Sequence, residues 1–502
     1  MGEIMAFVLY FVAMLAIGVW FFIKTKDNGE KEYFLGGRSM GPWVTAMSAQ
    51  ASDMSAWLLM GLPGSILAFG LGQAWIGIGL AIGTALNWIF VAKRLRKFSK
   101  ASGDAITLPQ YLSNRFLTSS PVLKIICAVV FLISFTVYVA SAFSAGTTVF
   151  TTLFPALSNE VAMTIFAVII LIYTFMGGFK AVCWTDFFQG ILMLVALLAV
   201  PIVIVCTKTL DTSALSQVYS YVDANGQAVE CVFTTNLFGA SWQEIASGLA
   251  WGLGYFGMPH ILVRFMSIEK PSMVKKSATV AIIWVVITLL AAVLIAYFGR
   301  MLIGAELLAA GNQKLVFIEL ARDLFPGFVA GLLLAAIIAA SMSTADSQLL
   351  VASSSFTSDI YKPIIRKNSS DKEVMWVGRI VVVIVAIVAY FIASSEGQGA
   401  QAIMNMVENA WGLFGAAFGP VVILSLFWKR FTYKGAVAGI LAGAIVDIVW
   451  FIKLSGVTGV YELLPGFIVG FVFSVVVSLI DKKPSAEIEK IFEIATDKNI
   501  DD

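Results

Sequence analysis

The chain has 502 residues, 59% of them apolar and only 13% charged, with a formal net charge of +2 and a mean hydropathy of +0.90. No water-soluble core of this size requires so much apolar side chain, so the composition marks a polytopic membrane protein. The near-neutral charge gives no footing for a nucleic-acid or acidic partner. One histidine and four scattered cysteines (Cys127, Cys183, Cys206, Cys231), with no C-x-x-C pair, leave little for metal or redox chemistry, and the thiols are expected to be free.

The first apolar run, residues 4–23, carries Glu3 where a secretory signal would carry basic residues, so it reads as a retained helix. Further runs long enough to span fall near 43–68, 72–92, 122–150, 160–178, 184–206, 244–266, 277–302, 327–350, 374–394, 403–428, 435–452 and 463–480, thirteen in all. An odd number places the termini on opposite sides. Alternate loops collect Lys24, Lys26, Lys31, Arg38, the cluster Lys93, Arg94, Arg96, Lys97 and Lys100, and the basic tail on one side. Only Lys208, Arg300, Lys314, Arg322 and Lys453, five of 33, fall on the other. The positive-inside rule then puts the N-terminus outside and the tail in the cytoplasm.

Helix two contains Ser48, Ser52, Asp53 and Ser55, followed by Gly61, Pro63 and Gly64. Ser and Asp side chains compete for backbone hydrogen bonds, so the segment is expected to unwind. Non-helical backbone at membrane depth persists only where protein or a cavity satisfies it, so a break predicts a site. Helix seven, "SGLAWGLGYFGMPH", is interrupted in the same way by Gly248, Gly252, Gly254, Gly257 and Pro259. Paired interruptions in two halves point to an inverted-repeat transporter; the alternative for these glycines is close helix packing. On the repeat reading, 43–206 and 244–428 are two five-helix repeats, the second inverted. They are joined by a polar loop, 207–243, preceded by an N-terminal helix and loop (1–42), and followed by two helices and a tail (429–502).

Helix nine ends in "SMSTADS". Ser343 and Thr344 can bond back to their own helix, or they can face the broken part of helix two. There their hydroxyls and freed carbonyls form an oxygen-only shell suited to a hard monovalent cation such as sodium. The stretch "KLVFIELARDLF" within 303–326 is amphipathic, expected either across the outer mouth or packed on the bundle. The tail reads as a solvated amphipathic helix. Asp186 opens a helix and suits an N-cap. Glu408 and Asp447 lie within apolar spans and require partners.

"EYFLGGRSMGPWVTAMSAQASDMSAWLLMGLPG", "YTFMGGFKAVCWTDFFQG", "WGLGYFGMPHILVRFM" and "AAIIAASMSTADSQLLVASSS" closely resemble the sodium/solute symporter family, and the similarity runs over essentially the whole chain. The resemblance implies an all-α integral membrane protein with about thirteen transmembrane helices in a five-plus-five inverted-repeat fold. It also implies a sodium site made of the carbonyls of Ala51, Met54 and Ala340 with the hydroxyls of Ser343 and Thr344. Asp53 would serve there as electrostatic or gating support, as a direct ligand, or as a partner for unwound amides, with Arg38 as its long-range counter-charge. Within the family the match is to members of the bacterial inner membrane that import L-proline with sodium. It carries a substrate pocket onto Ser55, Tyr138, Trp251, Tyr255, Pro259 and His260. Aromatic faces suit a pyrrolidine ring and its ammonium, while a histidine buried in an apolar span is otherwise an interior packing residue. The family's closest pattern has glycine at Ala56 and glutamine at Met258, which bears on affinity and selectivity. Asp186 also falls in a family motif. No nucleophile–base pair or phosphate loop suggests an enzyme. The remaining alternatives are a sodium symporter for another solute (pantothenate, a sugar, another amino acid) and a symporter-like sensor.

Overall fold

A bilayer core cannot hydrogen-bond exposed backbone, so each long apolar run has to close its own i→i−4 ladder. The computed structural model describes residues 1–24, 29–176, 178–222, 228–396 and 400–497. Its main helices in the first half are α1 (Gly2–Lys24), α2 (Pro42–Met54), α3 (Gly61–Phe69), α4 (Ala74–Leu86), α5 (Lys93–Ala101), α6 (Val122–Leu153), α7 (Asn159–Met176) and α8 (Phe179–Thr207). The second half contributes α9 (Trp242–Ala250), α10 (Pro259–Ser267), α11 (Val274–Leu302), α12 (Val316–Leu324), α13 (Gly327–Phe356), α14 (Asp371–Glu396), α15 (Ala400–Phe427), α16 (Tyr433–Lys453), α17 (Leu463–Ile480) and α18 (Ala486–Thr496).

The helices α13 and α15 form the buried centre, whereas α1 and α17 lie at the rim. The rim helix α14 shows Ile380, Ile384, Ile387 and Phe391 in an exposed stripe at helical spacing, the face that lipid covers. Among the described residues, ten helices are long and apolar enough to cross a membrane. The count of thirteen is not reached by length. Residues 56–69 and 159–175 are shorter apolar helices, and 242–267 is divided between α9 and α10.

Close approach of backbones positions the second interruption. A Cβ on Gly252 would sit 2.3 Å from the Gly79 carbonyl oxygen, and one on Gly83 would sit 2.3 Å from that of Gly252. The packing reading of these glycines and the break reading therefore both hold.

Several expectations change. The polar loop 207–243 contains an antiparallel hairpin, β1 (Tyr219–Val222) and β2 (Ala228–Cys231), in register Tyr219↔Cys231. The amphipathic α12 is packed, with Phe317, Ile318, Leu320 and Ala321 buried. The tail helix α18 is not solvated on all sides. Its Phe492 meets Phe98 of α5 at 5.3 Å, and its Glu489 and Glu493 pair with Lys429 at 3.0 and 2.9 Å. Arg38 does not answer Asp53. It bonds Asp104 at 2.8 Å and donates to the carbonyls of Met266 at 2.5 Å and Ala105 at 2.7 Å, tying the entry of α2 to the end of α10, whereas Asp53 lies at the opposite end of α2, about 15–20 Å along the helix.

The Gly79–Gly252 contact leaves no room for a methyl group. Gly252→Ala is expected to cost about 1–3 kcal/mol through overpacking, read as a lower melting temperature in detergent than for an alanine placed at the open Gly456.

Candidate functional site

Helix α2 stops at Met54 because Ser55 adopts φ +47°, ψ −175°, a left-handed φ that costs a non-glycine residue about 1–3 kcal/mol. The Ser55 hydroxyl accepts the Trp57 N–H at 3.1 Å, and a 3₁₀ turn, Ala56–Leu58, leads to α3. The second break runs through a 3₁₀ segment, Trp251–Phe256. It ends where Pro259 opens α10 and holds Met258 extended.

The two breaks face each other. The Tyr255 hydroxyl donates to Asp53 Oδ2 at 2.5 Å, Trp57 stacks on Trp251 at 5.4 Å, and Asn87 Nδ2 donates to the Tyr255 carbonyl at 3.0 Å. A small cavity between them is lined by Asp53, Tyr138, Trp251, Tyr255, Val407 and Trp411 among others. The Tyr138 hydroxyl lies 3.4 Å from the Asp53 carbonyl oxygen. Of the expected pocket residues, Tyr138, Trp251 and Tyr255 line this cavity; Ser55, Pro259 and His260 do not. His260 is buried, its ring edge-on to Phe135 at 5.9 Å.

On the opposite side of the first break, Ser343 Oγ donates to the Ala51 carbonyl at 2.8 Å and lies 3.1 Å from that of Ala340. The Thr344 hydroxyl is fully buried without a hydrogen-bond partner. Because α2 ends at Met54, the carbonyls of its last turn, Ala51 to Met54, lose their helical partners and carry the negative end of the helix dipole. Neutral oxygens and an orphaned hydroxyl are the ligand types that suit a hard monovalent cation.

Arg264 was not foreseen from the sequence, and it organises the layer below. Its guanidinium donates to Asp186 at 2.9 Å, Ser48 at 2.7 Å, Ser347 at 2.5 Å and the His260 carbonyl at 2.6 Å, joining α2, α8, α10 and α13. Asp186 therefore does not cap a helix: α8 begins seven residues earlier, after Gly178, and the carboxylate is buried against Arg264. The signal available was an arginine and an aspartate each inside an apolar run, which need one another in the membrane. Trp411 was also missed. Its indole donates to the Trp251 carbonyl at 2.8 Å.

The sodium:solute symporter family model matches residues 33–443. The chain belongs to this family. It is 42% identical over 499 residues to the sodium/proline symporter of Escherichia coli, covering 97% of this chain and 95% of that protein, and 42% identical over 504 residues to that of Staphylococcus aureus, covering 98% and 96%. Among solved structures, a sodium-coupled sialic acid symporter aligns with a TM-score of 0.72 at 19% identity, over 97% of this chain and 99% of that one. A nucleobase-cation-symport-1 family transporter aligns at 0.56 and 14%, over 94% and 99%. The fold is that of these cation-coupled symporters, the five-plus-five inverted repeat, and sodium is the coupled ion of the family.

Arg264→Met would leave the Asp186 charge buried and alone, which is expected to cost about 3–5 kcal/mol. Adding Asp186→Leu should recover most of it, read as melting temperatures in detergent. A double variant no more stable than the single one would mean that the pair is not the source of the loss.

Proposed function

We propose that the protein is a secondary active symporter that imports L-proline with sodium by alternating access. The observation that carries this reading is the meeting of two broken helices around an aromatic cavity, with the Ser343 hydroxyl set against the Ala51 carbonyl beside the first break. The curated relatives named sodium/proline symporters, matched over nearly their whole length, support the choice of solute.

Sodium would be held by the carbonyls of Ala51, Met54 and Ala340 and the hydroxyls of Ser343 and Thr344. Asp53 lowers the cation's energy from nearby. Proline would lie among Tyr138, Trp251 and Tyr255, its ring against aromatic faces and its ammonium over an electron-rich one. Free amides at the break would be the donors for its carboxylate, with Ser55, whose hydroxyl accepts the Trp57 N–H, joining them only if that bond opens. Pro259 and His260 would act from behind this cavity by setting where α10 begins.

Coupling follows from the geometry. A sodium ion at Ser343 would pin the end of α2 to α13. The Asp53–Tyr255 hydrogen bond carries that constraint to the second break, so both ligands favour one conformation and each raises the other's affinity. In this reading the chain crosses the membrane thirteen times, with the N-terminus outside and the tail in the cytoplasm. The repeats are 43–206 and 244–428, and the protein resides in the bacterial inner membrane and performs no covalent chemistry.

Labelled L-proline uptake into proteoliposomes tests this. Accumulation should follow an inward sodium gradient and vanish when choline replaces sodium. Each hydroxyl removed from a charged ligand costs about 1.5–3 kcal/mol, so Ser343→Ala/Thr344→Ala should raise the half-saturating sodium concentration by about 100-fold or more. Uptake that ignores sodium in folded protein would defeat the ion assignment. Competition by a different solute, without proline uptake, would defeat the substrate.

A further inference from the structure

A second, wider cavity opens on the face that carries the N-terminus. Its wall includes Gln73, Glu244, Trp251, Gln313, Glu408 and Tyr461. Trp251 lines this vestibule and also the inner cavity, so it is the partition between them. Tyr461 lies on that partition. Its ring stacks on Trp251 at 5.3 Å, its hydroxyl donates to the Glu408 carbonyl at 2.7 Å, and its N–H donates to Ser247 Oγ at 3.0 Å.

Three carboxylates gather around Tyr461. Glu408 lies on α15 at the vestibule wall. Asp447 on α16 and Glu462, the residue before α17, are only 3% and 2% exposed, and Asp447 Oδ1 and Glu462 Oε1 have no hydrogen-bond partner. They close on Gly412, where a Cβ would lie 3.0 Å from Asp447 Oδ1, 3.3 Å from the Tyr461 hydroxyl and 3.5 Å from Glu462 Cγ. Glu462 is within electrostatic reach of both other acids. Among the described residues no cationic side chain pairs with any of the three.

The titratable groups on neighbouring elements do not neutralise them. Glu244 on α9 is held in a capping box with Ser241, Tyr255 is bonded to Asp53, and the Tyr138 hydroxyl is directed to the Asp53 carbonyl. Lys453, at the end of α16, is exposed to solvent. Arg94 bonds the Leu426 carbonyl at the far end of α15. Like charges stripped of water and without a counter-charge disfavour one another's ionised form. Binding a proton removes one of these charges where no cationic side chain is paired with them. A carboxylic O–H also supplies the donor that the orphaned oxygens lack.

We propose that Glu408, Asp447 and Glu462 form a proton-binding site facing the vestibule, separate from the sodium site, whose occupancy latches Tyr461 over Trp251. With the proton bound, the acids sit together around Gly412 and the partition is closed. Loss of the proton sets two carboxylates against each other, separates α16 and the turn at 459–462 from α15, and lifts Tyr461. Burial raises the Glu462 carboxyl to about 7. Its proton therefore stabilises the latch below that pH, and the stabilisation is lost as pH rises through it. The inference rests on reading the inner cavity as the transport route, but its test needs neither solute nor orientation.

The test is carried out on purified full-length protein in detergent, where both faces are open to reagent. Val407, buried on the inner cavity wall, is replaced by Cys in a Cys206→Ser background that removes the exposed native thiol. Its labelling rate by a small thiol reagent is followed from pH 6 to pH 8. Dividing by the rate for the same protein carrying Glu462→Gln cancels the thiol's own titration, since the neutral amide mimics the bound proton. The ratio is expected to rise from about one to about tenfold, the effect of a one-unit difference in pKa between latched and open states. Asp447→Asn serves as a second divisor should Glu462→Gln fail to fold. A ratio that stays near one with both divisors overturns the latch, whatever the uptake experiment shows.

Discussion

Everything in this molecule turns on an unpaired backbone inside a medium that cannot pair it. Helix α2 ends at Met54, deep in the bundle, because Ser55 leaves the helical region of backbone space. The carbonyls released there must find partners within the protein, since lipid offers none. Ser343 takes one of them at 2.8 Å, and the Thr344 hydroxyl on the same helix is buried without a hydrogen-bond partner. The proposed ion site is one way to satisfy the broken helix.

The second break is held against the first by contacts of different kinds. Glycines on α4 and in the 251–256 segment let backbones touch, aromatic rings stack across the gap, and one hydrogen bond joins Tyr255 to Asp53. Below them, Arg264 gathers four helices on one guanidinium. Such a buried charge network is a poor source of net stability but a strong constraint on geometry, because breaking either side leaves an uncompensated charge. The structure thus separates a rigid polar layer under the site from an aromatic layer above it that is held by ring stacking and scattered hydrogen bonds.

Much of this was legible along the chain. The breaks at Ser55 and at Trp251–Phe256 follow from residue types that weaken helices, and hydroxyl density in helix nine located Ser343 and Thr344. Tyr138, Trp251 and Tyr255 converge on one cavity, as the family resemblance implied. What was not legible involves residues whose meaning lies in a distant neighbour. Asp186 looked like a cap because helix starts are local, yet its partner lies 78 residues away. Arg38 looked free to answer Asp53, yet Asp104 and two carbonyls were within shorter reach. The charge pattern of the tail suggested a solvated helix, and only the fold placed Phe98 and Lys429 beneath it.

By itself, the sequence determined the membrane class, the two interrupted helices and the family, because each depends on residue type and spacing within one segment. The tertiary structure alone decided which acid meets which base, which expected pocket residues share a wall, and that Asp447 and Glu462 both close on Gly412 with no cationic side chain paired to them among the described residues. Those outcomes depend on distances between segments, and in a medium of low dielectric a few ångströms decide whether a charge is paired or stranded.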